Sequence, residues 1–420
     1  MENPDRDHTI NRKHLVAWSL YDLANSIYPT VIIASVFSVY FAGTIVGNEV
    51  GLGDLWWGRV ISCSVLFVAL SSPLLGSVAD QARVRKKMLF SYTYLCIFSV
   101  TLFITIDPGM VLWGGTLAVL ANIGFEGALV FYNSYLPSLA PPRRQGFASS
   151  VGFAAGYAGS IAGLLIVLPL VARGYFDLTW IAVAVFFAIV SLPTFLYLPS
   201  DVAGRFTVFQ ATIKGLKGFK GILKDVLVEK ELRRFLLAFF FYIDGVLTII
   251  YFAAIFADRT LGFDQKELIY LFLVVQISAL IGAVVMSKFT DIWGPKKVIN
   301  LTLILWILVV LAVYFVELKL TFFVLAVLAG SGLGVVQAAS RTLMSILIPA
   351  GKEGKMFGIY ALCGKSSSVV GPLVFGQISF LMGGDQRTAV LSVAAFLLIG
   401  LVLLQRVRVS ESSYTRDCTS

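Results

Sequence analysis

Long apolar runs recur along the whole chain, and they constrain its fold more than any other feature. A helix needs about 20 apolar residues to cross the hydrocarbon core of a bilayer. Runs of about this length occur at 15–42, 57–79, 88–106, 111–136, 147–172, 178–199, 235–257, 268–288, 298–316, 320–347, 356–382 and 387–405. The sequence therefore predicts an all-α membrane protein with twelve transmembrane helices.

The composition excludes an ordinary soluble protein. Charged residues make up only 14% of the 420 residues and hydrophobic residues 58%, whereas soluble domains carry about 25% charged residues. The four cysteines have no spacing typical of a metal site or a disulfide framework. We therefore expect no metal and no cofactor.

The net charge of +9 follows from topology. With the N-terminus inside, 25 Lys and Arg residues fall in inner segments and six in outer segments. Because basic residues concentrate on the cytoplasmic side of membrane proteins, both termini are predicted to be cytoplasmic. The chain reads as a bacterial inner membrane protein, and its charge favours contact with anionic lipid over binding to nucleic acid.

A basic connection separates the sixth run from the seventh. Residues 200–234 carry apolar side chains at helical spacing, with Lys214, Lys217, Lys220 and Lys224 around them. This pattern is typical of an amphipathic helix that lies on the inner leaflet and contacts anionic lipid. The connection divides the chain into a first half, 1–199, and a second half, 235–420.

The two halves share short sequence patterns. Tyr21-Asp22 in the first run corresponds to Tyr242-Ile243-Asp244 in the seventh. In addition, an aspartate and a basic cluster follow the second run of each half. This second pattern consists of Gly76, Asp80, Arg83, Arg85, Lys86 and Lys87 in the first half and Asp291, Lys296 and Lys297 in the second. Internal repeats of this kind are typical of transporters.

The repeated inner-loop pattern predicts a gate. Aspartates at helix ends followed by basic residues can form charge-assisted bonds with the neighbouring half, which close the inner side and break when it opens. The alternative is that the basic residues only anchor the topology. Two glycine patterns predict close helix packing, which we expect between the moving halves. The glycines lie at 152, 156, 159 and 163 and at 371 and 376.

Charged residues inside the predicted helices are the main candidates for function. They are Asp22, Glu126, Asp244, Arg341 and Lys365. A charge at the centre of a membrane helix costs roughly 2.5 to 3.5 kcal/mol, so it persists where it has a partner or faces a wet cavity. Three acids against two bases leave at least one carboxylate that can bind a coupling proton. The alternative is that these charges form static pairs that hold the helices together.

Uncharged polar residues extend this candidate set. Asn25 follows Asp22 by three residues and shares its helix face. The residues predicted to bind substrate or protons are Tyr21, Asp22, Asn25, Glu126, Asn133, Tyr242, Asp244, Gln337, Arg341, Tyr360 and Lys365. Interhelical hydrogen bonds are the alternative role for the uncharged members, and Asn133 could instead belong to an inner gate.

Three motifs carry a family resemblance. They are Trp18-Ser-Leu-Tyr-Asp-Leu-Ala-Asn-Ser26, Phe131-Tyr-Asn-Ser-Tyr-Leu-Pro137, and the stretch from Gln337-Ala-Ala-Ser-Arg341 through Phe357-Gly-Ile-Tyr360 and Gly364-Lys365 to Gly371-Pro372. With the inner-loop pattern and twelve helices, the chain resembles the major facilitator superfamily (MFS) and, within it, the Atg22-like vacuolar effluxers, or UMF1 family. The resemblance implies two six-helix halves, with helices one, four, seven and ten lining a central cavity. It also implies a membrane transporter, and amino-acid efflux from the vacuole is ascribed to the fungal branch.

We therefore expect a secondary transporter, proton-coupled or facilitative, that moves a small polar solute such as an amino acid by alternating access. No sequence motif for catalysis or ATP binding indicates an enzyme. The alternatives are a receptor or scaffold that does not transport, and an exporter of a larger amphipathic compound. The expected partners are the small-molecule substrate, protons if transport is coupled, and anionic lipid, with the protein acting as a monomer.

Overall fold

The computed structural model describes residues 12–81, 84–133, 135, 139, 145–199, 229–348 and 353–408. The predicted amphipathic segment around Lys214 to Lys224 lies outside these residues. The helices of the first half are α1 (Arg12–Val46), α2 (Leu52–Gln81), α3 (Arg85–Thr105), α4 (Val111–Asn133), α5 (Gln145–Val171) and α6 (Phe176–Tyr197). Those of the second half are α7 (Lys230–Leu261), α8 (Gln265–Trp293), α9 (Pro295–Tyr314), α10 (Lys319–Leu347), α11a (Glu353–Ser367), α11b (Val370–Leu381) and α12 (Gln386–Gln405).

The prediction of twelve membrane-spanning helices is confirmed. Within the described residues, eleven helices are long and apolar enough to cross a membrane. The remaining predicted run, 356–382, forms the two shorter helices α11a and α11b. Pro372 explains the interruption between them, because proline has no N–H to donate to the carbonyl of Ser368 and its ring clashes with that carbonyl.

The first span is not a uniform α-helix. Residues Arg12–Asn25 are α-helical, whereas Tyr28–Ser35 and Tyr40–Val46 are π-helical. Pro29 lies at the start of the first π-helical stretch and cannot donate to the carbonyl of Asn25. Because π-helical turns are rare and occur frequently at functional sites, the change shortly after Asp22 makes this part of α1 a candidate functional region.

The described residues form two compact units. The first contains 12–45 and 70–199, and the second contains 46–69 and 229–408. In the first unit α1 packs against α5 and α6, and α3 packs against α4 and α6. In the second unit α7 packs against α11a and α11b, together called α11, and against α12, and α9 packs against α10 and α12. The sequence repeat therefore extends to helix packing, although the beginning of α2 groups with the second unit.

Candidate functional site

An aromatic cluster surrounds Tyr21 on α1. The rings of Trp18 and Tyr132 stack with their centroids 4.5 Å apart, and the Tyr21 ring stacks on Tyr132 at 5.0 Å. The Trp18 indole N–H donates to the Tyr132 carbonyl oxygen (3.1 Å), and the Tyr21 hydroxyl shares a 2.7 Å hydrogen bond with the Thr93 hydroxyl. Tyr21 is fully buried, so in this structure it fixes α1 against α3 and α4.

Asp22 lies beside this cluster, where α1 meets the glycine face of α5. A methyl group at Gly152 would lie 2.8 Å from the Asp22 carboxylate oxygen Oδ2. At Gly159 it would lie 2.0 Å from the backbone oxygen of Leu23. The α5 glycines therefore allow a half-buried carboxylate to sit within a close helix contact. The expectation that this face packs between the halves is wrong for α5, because its partner α1 belongs to the same unit.

Two further polar groups lie near Asp22. Its carboxylate is close enough to the Tyr132 phenol to act on it electrostatically. Asn25 is buried one helical turn away, and its side-chain nitrogen Nδ2 has no hydrogen-bond partner among the described residues. The structure thus brings three predicted site residues, Tyr21, Asp22 and Asn25, into one region of the first unit.

Glu126 and Asn133 occupy different positions along α4. Glu126 is half-buried and precedes Tyr132 by six residues, about 9 Å of helix rise. Asn133 is exposed at the C-terminal end of α4. Glu126 therefore lies within the span, whereas Asn133 lies at its boundary.

Tyr242 on α7 is the counterpart of Tyr21. It is fully buried, and its hydroxyl lies 2.7 Å from the Ser340 hydroxyl on α10. Ser340 uses its own proton to donate to the Val336 carbonyl oxygen (2.5 Å). The Tyr242 hydroxyl is therefore the donor in its bond to Ser340, and this bond joins α7 to α10.

Arg341 on α10 and Tyr360 on α11a are near enough to interact electrostatically. Arg341 is exposed, and its charge acts on the phenol of Tyr360. The Tyr360 ring stacks on Phe239 of α7 with the centroids 4.3 Å apart. Gln337 is half-buried one turn before Arg341 on α10, on the same helix face. This region can present a cation and hydrogen-bonding groups to an anionic group.

Asp244 on α7 lies at the interruption of α11. Its carboxylate oxygen Oδ1 accepts the backbone N–H of Gly371 at the beginning of α11b (3.0 Å). Its other oxygen, Oδ2, is buried and has no hydrogen-bond partner among the described residues. A methyl group at Gly371 would lie 2.6 Å from Oδ1 and 2.0 Å from the Thr248 hydroxyl. Glycine is thus needed for the backbone of α11b to approach Asp244.

Lys365 lies on the other side of this interruption. It is half-buried in the last turn of α11a, where the unpaired carbonyls of the helix end favour a cation. Asp244 faces the positive beginning of one half-helix, and Lys365 lies at the negative end of the other.

The structure describes the side chains of some of the predicted gate residues but not of others. Gly76 lies on α2, while the side chains of Asp80, Arg83 and Asp291 lie outside the described part of the structure, so their gating role stays a prediction. Lys87 and Lys297 are exposed, and the Arg85 guanidinium lies over the Tyr135 ring at 5.0 Å.

Lys86 and Lys296 have matching partners in the two halves. The Lys86 ammonium donates to the carbonyl oxygen of Leu198, directly after α6 (2.7 Å). The Lys296 ammonium donates to the carbonyl oxygens of Gln405 (3.2 Å) and Val407 (2.6 Å), at the end of α12. In each half, one lysine of the predicted gate therefore caps the last helix of its own half.

Asp54 is a buried acid that the sequence reasoning missed. Its carboxylate is fully shielded from solvent and accepts hydrogen bonds from Asn48 (2.9 Å), from Gln386 (2.9 Å to each oxygen) and from the Ser379 hydroxyl. Asn48 Oδ1 accepts two backbone N–H groups, and Gln386 Oε1 accepts the Thr260 hydroxyl. Both amides are therefore oriented so that their N–H groups face the carboxylate.

The apolar run begins too late to reveal this network. The predicted second span starts at 57, whereas α2 starts at Leu52, so Asp54 falls outside the predicted span. Ser379 and Gln386 lie 325 and 332 residues further along the chain. The useful signal was an acid directly before the apolar Leu55-Trp56-Trp57.

Comparison with known proteins decides the family. A family model described as "Vacuole effluxer Atg22 like" matches residues 59–147 and 143–416. The chain belongs to this family. The Atg22-like chain is 28% identical over 404 residues to a protein of Bacillus subtilis (strain 168) described as an uncharacterized MFS-type transporter, YxiO, covering 92% of this chain and 93% of that one. It is 25% identical over 414 residues to autophagy-related protein 22 of Yarrowia lipolytica, covering 76% of this chain and 69% of that one.

Solved transporter structures share the fold of this Atg22-like chain. A D-xylose–proton symporter superposes with a TM-score of 0.72 at 14% identity, covering 97% of this chain and 99% of that one. The nucleoside transporter NupG superposes with a TM-score of 0.69 at 16% identity, covering 94% and 99%. The predicted MFS fold and family resemblance are confirmed, and the chain is a membrane transporter of the MFS type.

Proposed function

We propose that this Atg22-like transporter moves an amino acid or a similar small zwitterion by alternating access. The observation that carries the proposal is the exposed guanidinium of Arg341, which shares a face of α10 with Gln337 in the second unit. A guanidinium binds a carboxylate through charge-assisted hydrogen bonds, and an amino acid carries a carboxylate. Within the first unit, the half-buried carboxylate of Asp22 is the candidate group for a cation or a proton.

The guanidinium favours a solute with a carboxylate over the other solute classes. A sugar or a nucleoside has no carboxylate for Arg341 to bind, whereas a charge-assisted hydrogen bond to an amino-acid carboxylate is shorter and stronger than a neutral one.

The decisive experiment is uptake by proteoliposomes. Purified protein is reconstituted and offered isotope-labelled amino acids, sugars and nucleosides in one mixture, and the internal contents are measured by mass spectrometry. We expect accumulation of one or a few amino acids. If wild-type vesicles take up none of the offered amino acids above the level of empty vesicles, the proposed function is wrong.

Two variants test the assigned charges. Asp22→Asn and Arg341→Gln should each weaken apparent substrate affinity by the roughly 1.5 to 3 kcal/mol of a hydrogen bond to a charged group. Arg173→Gln, which removes an exposed cation beyond α5, serves as the charge-matched control and should leave affinity unchanged. Equal affinities in all three variants would contradict the site assignment.

The location and gate belong to the same proposal. We place the protein in a bacterial inner membrane with both termini cytoplasmic, which a C-terminal reporter that is active on only one side of the membrane will test. Asp80→Asn and Asp291→Asn should slow turnover without changing apparent affinity. Wild-type turnover in both variants, at equal expression, would remove the gating role.

A further inference from the structure

The interruption of α11 leaves one carboxylate half satisfied. Asp244 is fully shielded from solvent. Its Oδ1 accepts the Gly371 N–H, and its Oδ2 has no hydrogen-bond partner among the described residues. An ionised oxygen buried without a donor or a cation is strongly unfavourable, and binding a proton removes the charge.

The other candidate acids lie in different surroundings. Asp22 and Glu126 are half-buried, so water can help to solvate their charges. Asp54 is buried, but both of its carboxylate oxygens accept hydrogen bonds from oriented donors, which suits the ionised form. Among these four acids, Asp244 combines complete burial with an unsatisfied oxygen.

Among the described residues, none of the helices packed against Asp244 forms an ion pair with it. On its own helix, Tyr242 bonds to Ser340 of α10. Arg341 of α10 acts on Tyr360 of α11a, and the Cys363 thiol of α11a donates to the Leu236 carbonyl. Lys365 lies in the last turn of α11a, and α12 presents Leu397 and Phe396 at Gly245. The ion pairs Arg234–Glu231 and Lys319–Glu267 do not involve Asp244.

We propose that Asp244 takes up and releases the coupling proton of this transporter, with the junction of α11a and α11b controlling its access to water. This inference rests on the proposed transport function and adds the coupling ion and the group that binds it. The proton attaches to Oδ2 from water on one side and returns to water on the other, so no other reactant is required. A proton can reach a fully buried oxygen, whereas a solute cannot.

The helix interruption supplies the means of release. Residues between two half-helices can absorb changes of φ and ψ, as hinge residues do. Movement of α11b would carry the Gly371 N–H away from Oδ1 and let water reach the carboxylate. Discontinuous helices with their ends at a binding site are a recurrent device of transporters.

The first experiment needs no known substrate. The wild-type protein in liposomes is treated with a hydrophobic carbodiimide, which reacts with protonated carboxyl groups, and the modified residues are mapped by mass spectrometry. We expect modification at Asp244 that decreases as the pH rises. Modification of Asp22 or Glu126 with Asp244 unmodified would overturn the proposal.

The second experiment measures coupling. Asp244→Asn keeps an oxygen that can accept the Gly371 N–H, so it should fold and still exchange internal for external amino acid. The variant should lose the accumulation that a proton gradient drives. Its internal amino-acid level should fall at least tenfold, to the level that wild type reaches without a gradient. Asp177→Asn, at an exposed acid in the first turn of α6, is the matched control and should accumulate like wild type.

The two proposals fail in different ways. If the wild-type protein transports none of the offered amino acids, the proposed function fails. If the wild type accumulates amino acid on a proton gradient and Asp244→Asn accumulates it equally, the transport function stands and the assignment of the proton to Asp244 is wrong.

Discussion

Asp22 and Asp244 occupy corresponding helices of the two halves, yet their surroundings differ. Each follows a buried tyrosine, and each faces a glycine, Gly152 of α5 or Gly371 of α11b. Around Asp22 the partner helix is continuous, and the carboxylate is half-buried beside a phenol. Around Asp244 the partner helix is interrupted, and the Gly371 N–H at the beginning of α11b donates to a fully buried carboxylate. The repeat therefore conserves the helix contact while the interruption of α11 changes the chemistry.

A second pair of acids shows the same divergence. Asp54 is the third residue of α2, and Glu267 is the third residue of α8. Asp54 is buried among neutral donors, whereas Glu267 is part-exposed, completes a capping box with Asp264 and pairs with Lys319 at 2.5 Å. The same position thus holds a buried polar network in one half and a surface ion pair in the other.

The largest expected effect is removal of the Asp54 carboxylate. Asp54→Ala leaves donors of Asn48, Ser379 and Gln386 buried without an acceptor, at about 1 to 3 kcal/mol for each group. We expect a loss of at least about 3 kcal/mol in the free energy of unfolding, measured by denaturant titration in detergent. Asp177→Ala, at an exposed acid, is the control. A loss below 1 kcal/mol would show that water replaces the carboxylate.

The second-largest expected effect comes from crowding the close contact of α1 and α5. A methyl group at Gly159 meets the Leu23 backbone oxygen at 2.0 Å, and backbone cannot rotate away as a side chain can. Gly159→Ala should therefore cost about 1 to 3 kcal/mol through overpacking and lower the melting temperature in detergent. Gly43→Ala is the matched control, because nothing lies within 4 Å of its added methyl group. Equal stability of the two variants would contradict the tight packing that holds Asp22 in place.

Sequence reasoning predicted the parts of the molecule that depend on local composition. The apolar runs predicted the spans, because lipid selects for long apolar helices whatever their partners are. The pairing of Tyr21-Asp22 with Tyr242-Asp244 and the α5 glycines were also visible as local patterns. The structure brings Tyr21, Asp22 and Asn25 together, and Tyr360 close to Arg341.

The remainder depends on contacts between distant residues. The burial of Asp54 results from Ser379 and Gln386, which no periodicity connects to it. The unsatisfied oxygen of Asp244 results from the position of α11b, since Gly371-Pro372 indicates an interruption but not the side chain that fills it. Lys86 and Lys296 were predicted as gate residues from their inner-loop position, and their carbonyl partners belong to helices more than 100 residues away.

A smaller effect is expected at the helix ends that Lys86 and Lys296 cap. Lys86→Met and Lys296→Met each remove a cation from the carbonyl end of a helix, which contributes about 0.3 to 1 kcal/mol. Lys296→Met should destabilise the protein more, because Lys296 contacts two carbonyl oxygens and Lys86 contacts one. Denaturant titration of both variants, with the exposed Lys297→Met as control, measures the difference. The opposite order would mean that the two halves do not share this cap.

The smallest expected effect separates the ion pair of Glu267 from its capping role. Glu267→Gln retains a side chain that can bond to the Asp264 N–H, because glutamine also serves at this position of a capping box, but it removes the charge that pairs with Lys319. The side chains of Lys319 and Glu267 are 43% and 39% exposed, so the loss should be about 0.2 to 1 kcal/mol. The effect should fade at 1 M salt, where charges are screened over about 3 Å. A double-mutant cycle with Lys319→Met measures the coupling, and a loss that persists at high salt would instead assign Glu267 a packing role closer to that of Asp54.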